Sequence, residues 1–524
     1  MKTLSGSYNL KTGEYSDFSE GVYSYVDGSL SVSVFGFAYT DGALNNGANL
    51  SVLYREHGAD ITKHLNGTYI VLFYDCDSGV LRVFHDRATS PVALYYAKNG
   101  GTVYFSTSLK DLLKKSGVER RFNESVVEEF LLNGFIYGDS TLVEGVKKLK
   151  AYKSLEVSGG TVKLNDAVYP MREMTPGQAL DCFKQTLDDA VKNCIDGDET
   201  ACFPLSSGYD SNYIAYVSTE ICGKQSTAFS VGGKRGKNEL PIVKENVKCY
   251  KNLELKSAVT DGSSLKNLPD IVYRLEGNVY ESGIFLQYEL MKLVSESGVK
   301  KLVCGECADQ VMNVNYHKKG RIYPESPDGK PLYYEFSEYP YIFSSYLIFK
   351  KSGILANSFG IETVYPYLDE NVISVCAPLG TISMKDKRVH VANCRACLNE
   401  EIFKNMSKKG GSTDCRSLFE NDEEIKSFFK RIEGTEFYKK YSGLILSDSV
   451  FKKEKLSASK RIKTIIRNII LVMLHKKSDD SYLVEMKLRA YLCAAYLIIF
   501  KKLFIETDGF ERDGCDIAFE DFIK

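Results

Sequence analysis

The run Ala201-Cys-Phe-Pro-Leu205 passes without a linker into Ser206-Ser-Gly-Tyr-Asp-Ser211, and an apolar pattern resumes at once in Asn212-Tyr-Ile-Ala-Tyr216. A short apolar run closed by small polar residues describes a buried strand, and the next residues have the spacing of a helix. A strand that turns so tightly into a helix confines the segment to an open parallel α/β sheet. In such a sheet ligands enter the mouth beyond the carboxyl ends of the strands, where the N–H groups opening a helix favour anions. The pattern places a strand at 201–205, a tight loop at 206–211 and a helix from Asn212 onward.

The same grammar governs the chain from about residue 175. Thr175-Pro-Gly-Gln178 has the form of a capping box with proline at the first helical position, and Leu180, Phe183, Leu187, Ala190, Val191 and Cys194 then recur at helical spacing. Strand candidates at Thr227–Val231 and Lys301–Cys304 alternate with helical patterns such as Phe285–Glu296, and beyond about 340 the chain reads as mostly helical. Upstream, alternating runs at Ser31–Phe37, Thr68–Tyr74 and Val80–Phe84 are divided by Asp-Gly and Asn-Gly turn signals, with a helical pattern at Glu124–Asn133. The expected division is therefore a β-rich domain over 1–165 and an α/β domain over 175–524.

Charge removes several classes of partner. The 67 basic and 68 acidic residues cancel, which points away from nucleic acid and from a charged membrane surface. The longest apolar run, Ala490 to Phe500, falls far short of the ~20 residues that span a bilayer. The start shows no export signal, and 14 scattered cysteines fit reduced thiols, so a cytoplasmic location is expected. A basic stretch at 451–477, with isoleucines at helical spacing, reads as a packed helix with a solvated face or as one that docks an anionic surface.

A second loop, Val303-Cys-Gly-Glu306-Cys-Ala-Asp309-Gln, also follows a strand. Two carboxylates brought from separate loops to one sheet edge repel unless a divalent cation lies between them, an arrangement suited to Mg2+ on the pyrophosphate of ATP. Asp210 and Asp309 would serve equally as helix caps, and Glu306 as an ion-pair partner. Cys304/Cys307 and Cys394/Cys397 have Cys-x-x-Cys spacing, but they lie too far apart for a zinc ribbon.

These residues resemble the asparagine synthetase and β-lactam synthetase family. Leu205-Ser-Ser-Gly-Tyr-Asp-Ser211 is similar to its Ser-Gly-Gly-x-Asp-Ser loop with Ser207 for glycine, and Gly305-Glu-Cys-Ala-Asp-Gln310 to its Gly-Glu-Gly-Ala-Asp-Glu loop with Cys307 and Gln310 changed. Phe229-Ser-Val231-Gly resembles the strand that frames adenine, and Glu362-Thr-Val-Tyr-Pro-Tyr-Leu-Asp369 the family's Glu-x-Arg-x-Pro-Phe-Leu-Asp segment with Val364 for arginine. Leu65-Asn-Gly-Thr-Tyr, Asp86–Tyr96 and Phe105-Ser-Thr-Ser-Leu-Lys-Asp-Leu resemble the family's glutaminase domain. That domain works through an amino-terminal cysteine; here residue 2 is Lys, and the first cysteine is Cys76.

The resemblance implies an α/β protein: a class II glutaminase-like αββα sandwich without its nucleophile, followed by a parallel-sheet ATP pyrophosphatase domain with a helical carboxy-terminal extension. It implies a ligase that adenylates a small-molecule or peptide carboxylate with ATP and Mg2+ and passes the acyl group to ammonia or an amine. Leu205, Ser206, Gly208, Asp210, Ser211, Val231 and Gly305 would hold the nucleotide, Asp210 and Asp309 the metal. Glu306 would take the amine's proton, and Lys408 would stabilise charge on the phosphate, with Lys409 as its substitute. A nucleotide-binding homologue without activity and an intramolecular cyclase are the alternatives.

Overall fold

A computed structural model describes residues 1–89, 92–234, 238–312, 348–379, 387–405, 414–445, 481–511 and 519–522. The amino-terminal part holds two antiparallel sheets. One runs β10-β8-β9-β1-β2, from Val146–Lys148 (β10), Tyr95–Asn99 (β8), Thr102–Ser106 (β9), Ser5–Asn9 (β1) and Tyr15–Asp17 (β2). The other runs β12-β11-β7-β6-β4-β3, from Thr161–Asp166 (β12), Lys153–Ser158 (β11), Val80–His85 (β7), Asn66–Asp75 (β6), Leu30–Thr40 (β4) and Tyr23–Asp27 (β3), with Ala43–Leu44 (β5) paired to β4.

Strand β6 shows why the layers stack. Its Tyr69, Val71 and Phe73 pack with Leu50 and Tyr54 of the helix Gly47–His57 (α1). Its Ile70 and Leu72 point the other way, into the core that also contains Leu4, Tyr8 and Phe105 of the facing sheet. A strand covered on both faces reads as a nearly continuous apolar run, whereas one-sided burial would give strict alternation. Helix Leu109–Ser116 (α2) lies against β8 and β9 on the outer side, completing the αββα order. The helical pattern at 124–133 forms a short 3-10 turn and Val127–Asn133 (α3).

The helix Pro176–Ile195 (α4) opens the second part with the expected capping box: the Gln178 N–H donates to Thr175 Oγ1 at 3.3 Å, and the Thr175 N–H to Gln178 Oε1 at 2.9 Å. Strands Ala201–Pro204 (β13), Ser226–Gly233 (β14) and Leu253–Thr260 (β15) pair in parallel, as do Lys301–Val303 (β16) and Glu362–Val364 (β17), with β13 alongside β16. Helices Tyr209–Tyr216 (α5), Leu240–Val247 (α6), Leu268–Leu275 (α7), Ile284–Glu296 (α8), Ala308–Val311 (α9) and Ile348–Ser358 (α10) connect these strands. Glu370–Leu379 (α11) and Arg388–Cys397 (α12) come after them.

One expectation changes. The helix after the first loop starts at Tyr209 rather than Asn212, because Gly208, in extended conformation, takes the N-cap and Asp210 enters the first turn, where a carboxylate complements the helix dipole. The described region beyond 340 is mostly helical, as expected, and it also holds β17, only three residues long and too short to show a strand period. Among the described residues no helix is long and apolar enough to cross a membrane. The basic stretch 451–477 lies outside the described residues.

The two parts meet over a seam of buried charge. Arg87 lies beside the rings of Tyr152 and Tyr169 and donates to Glu370 at 2.6 Å and to the Pro170 carbonyl at 2.7 Å. Glu276 caps α2 from across the seam, accepting from Ser108 Oγ at 2.7 Å and the Leu109 N–H at 2.8 Å. Asn66 donates to Asp369 at 2.8 Å and accepts from the Glu370 N–H at 3.0 Å, so two of the segments singled out in the sequence touch across it.

Candidate active site

The mouth of the parallel sheet is built from the loops after β13 and β16. Leu205 still donates to the Phe229 carbonyl at 2.8 Å, and the chain then folds back on itself. Ser206 N–H reaches Ser211 Oγ at 3.1 Å, Gly208 N–H reaches Ser206 Oγ at 3.1 Å, and the buried Asn212 amide donates to the carbonyls of Ser206 and Gly208 at 3.0 and 2.8 Å. The serine side chains thus brace the loop from inside. The loops pack closely: a Cβ on Gly305 would be in van der Waals contact with the other loop, 3.4 Å from Ser211 N and 3.6 Å from Asp210.

Asp210 and Asp309, 99 positions apart by number, meet on one ammonium. Lys387 Nζ lies 2.6 Å from both Asp210 oxygens and 2.5 Å from Asp309 Oδ1, and its side chain is 6% exposed. Burial pushes the Asp210 carboxyl up, but Lys387 and His390 outweigh it and hold it below the usual carboxylate range. Burial lowers the Lys387 ammonium, and the two aspartates more than reverse that. His390, fully buried among Phe183, Tyr213 and Tyr367, stands 3.4 Å behind Asp210, and Tyr367 donates to the Asp210 carbonyl at 3.1 Å.

Glu306 is half-buried at the other wall of the same cavity, and burial raises its carboxyl above the ordinary range. Lys351, paired with Glu281 at 2.6 Å, lines the cavity beside it. The cavity is about 500 Å3, within the range of small-ligand sites, and is lined by Leu205, Ser206, Asp210, Ser211, Val231, Gly305, Glu306 and Asp309. Gly283, Leu286, Gln287 and Leu290 give it an α8 wall. A second cleft, about 590 Å3, opens between the two parts beside Tyr39, Asn66 and Glu370, away from these carboxylates.

Seven of the positions named from the sequence therefore line one cavity together with Asp309, and Gly208 sits in the loop behind it. Lys408 lies outside the described residues. Cys304 and Cys307 are buried, Cys307 in a left-handed conformation at the start of α9. Among the described residues no three His, Cys, Asp or Glu side chains gather as a metal cluster. Val364 is buried in β17, and its carbonyl accepts from Cys304 at 2.8 Å.

Lys387, His390, Glu239 and Lys351 were missed by sequence reasoning. The only local sign was the spacing Lys387-x-x-His390, which sets two basic side chains on one helical face. Glu239 contributes a carboxylate to the first loop, accepting the N–H of the buried Ser207 at 3.1 Å.

Two family models match the chain: the glutamine amidotransferase domain over residues 48–169 and asparagine synthase over residues 183–330. No curated protein matches it. Among solved structures it is similar to the allosteric regulatory enzyme of purine biosynthesis at 9% identity and a TM-score of 0.20, over 48% of this chain and 64% of that one. It is similar to glutamine phosphoribosylpyrophosphate amidotransferase from B. subtilis, complexed with ADP and GMP, also at 9% and 0.20, over 64% of this chain and 74% of that one. At that score neither likeness bears on the chemistry.

Proposed function

The chain has an asparagine synthetase-like architecture, a class II glutamine amidotransferase domain followed by an asparagine synthase domain, and from that premise we propose that it is an ATP-dependent amide-forming ligase. The observation that supports this most is the convergence of Asp210 and Asp309, from separate loops, on a single cation at the mouth of the sheet. A carboxylate pair that gathers an ammonium at this distance has the donor chemistry for Mg2+, which when bound would neutralise the departing pyrophosphate.

The loop from Ser206 to Ser211 cradles the nucleotide, with Leu205 and Val231 against its base. An oxygen of the substrate carboxylate attacks the α-phosphorus, the bond to the β-phosphate oxygen breaks, and pyrophosphate leaves. Ammonia or an amine then attacks the activated acyl carbon, and AMP departs. Glu306, its carboxyl raised by burial, accepts the proton that the nitrogen sheds, a role for which a base with affinity nearer neutrality is suited. Lys408, or Lys409 beside it, would balance charge on the phosphate.

The amino-terminal domain works in this proposal as scaffold, without glutaminase chemistry. The Lys2 backbone is clasped by Asn357, whose Oδ1 accepts from the Lys2 N–H at 3.2 Å and whose amide donates to its carbonyl at 3.0 Å. Cys76 is exposed in the turn between β6 and β7. Nitrogen thus comes from free ammonia or from an amine, including one on the substrate itself, in a cytoplasmic setting.

ATP–pyrophosphate exchange with a panel of carboxylates tests the reading. The wild type exchanges with a suitable acid; Asp210→Ala and Asp309→Ala lose exchange, while Glu306→Gln retains it and loses amide formation by about 10²-fold or more. A second reading, a nucleotide-binding protein without turnover, draws on the buried Ser207 where the family has glycine. Absence of exchange across the whole panel, with ATP still bound, would select it.

A further inference from the structure

Two side chains of opposite charge stand at the places where a nucleotide's cation and phosphate would lie, and neither belongs to the two loop motifs. Lys387 Nζ lies 2.5 Å from Asp309 and 2.6 Å from both oxygens of Asp210. Its backbone is left-handed, φ 56°, a conformation that non-glycine residues hold only where the surroundings impose it. Glu239 Oε2 takes the Ser207 N–H at 3.1 Å, one of the donors that the loop after β13 would offer to a phosphate oxygen. Glu239 itself lines the cavity.

The signs are complementary to those of the ligand. Two carboxylates in contact need a cation, and the ammonium supplies one; a buried N–H needs an acceptor, and the glutamate supplies one. A single positive charge on a flexible stem is a weaker clamp for two carboxylates than a divalent cation bound to both.

We propose that Lys387 and Glu239 are resident surrogates, the first for the divalent cation and the second for a phosphate oxygen, so that metal and nucleotide enter by ion exchange against the chain's own charges. This rests on the nucleotide site at the sheet mouth and adds its mode of entry. The free protein then binds metal weakly on its own, because the cation must expel an ammonium. Nucleotide must likewise displace a carboxylate from the loop.

Equilibrium binding to the full chain tests this apart from turnover. Mn2+ alone, followed by the electron paramagnetic signal of the free ion, should bind Lys387→Met at least about tenfold more tightly than wild type, and Lys387→Arg no more tightly than wild type. Mn2+ should also raise the melting temperature of Lys387→Met more than that of wild type. Glu239→Gln should leave Mn2+ affinity unchanged and tighten ATP binding by about threefold to tenfold in calorimetry. Equal or weaker Mn2+ binding by Lys387→Met would overturn the cation half, and weaker ATP binding by Glu239→Gln the anion half. A protein that never exchanges pyrophosphate yet shows these affinity gains defeats the ligase reading and leaves this one standing; exchange without the gains does the reverse.

Discussion

The seam between the two parts and the mouth of the parallel sheet both bury ionised groups, and they satisfy them differently. At the seam every charge has fixed, directional partners: Arg87 makes a forked contact with Glu370 while also holding the Pro170 carbonyl, and Glu276 serves as a helix cap. At the mouth the charges hold one another around open space, with one lysine between two aspartates. Buried charge with a full set of hydrogen bonds fixes the arrangement of two domains. Buried charge bordering a cavity is poised to change partners. That difference separates structural ions from working ones where both types are equally hidden.

The largest effect should come from the seam. Arg87→Ala leaves the Glu370 carboxylate buried without its partner, and breaking a buried pair in this way costs about 3–5 kcal/mol. Denaturant titration measures it, and a loss under about 1 kcal/mol would erase the distinction between seam and mouth. Lys350 gives a smaller, pH-dependent effect. Its ammonium donates to the Thr89 carbonyl at 2.7 Å and the Val92 carbonyl at 3.1 Å, and burial pushes it down to about 7 from 10.5. In the unfolded chain the proton is held to the higher pH, so the unfolded state binds more protons across that window and folding stability rises as pH rises through it. Between about pH 7 and 9 the wild type should gain about 2 kcal/mol relative to Lys350→Met.

The strand-to-helix loops, the capping box at Thr175 and the cavity-lining positions were legible because each rests on local spacing. The carboxylate pair could be inferred because its two halves sit in similar loops after similar strands. Lys387 could not, for it reaches the pair from the start of α12, through a left-handed residue that no periodic pattern marks. Glu239 is hidden for a related reason: a single glutamate before a helix looks like any solvent-facing residue until the fold brings it to Ser207. Strand β17 escaped because three residues contain no period, although Val303 and Val364 pair in register once the sheet is assembled. The seam was invisible in the same sense, since Arg87 and Glu370 are joined only by tertiary structure.

The smallest change in stability, and the sharpest test of the comparison, lies at Glu306. Burial raises its carboxyl, so the folded protein resists ionising it more than the unfolded chain does. Above the ordinary carboxylate range this opposes folding: the unfolded chain has released the proton and the folded one retains it or gives it up at a cost, so stability falls as pH rises through the interval between the two values. Glu306→Gln removes that term. At neutral pH the variant should match the wild type or exceed it by up to about 1 kcal/mol, and the pH-dependent gap should close in acid. The same substitution is expected to remove amide formation, so a gain in stability would accompany a loss of function, the reverse of what Arg87→Ala should do. If Glu306→Gln instead cost about 2 kcal/mol or more, Glu306 would belong with the seam glutamates as a structural ion, and the mouth would lose its base.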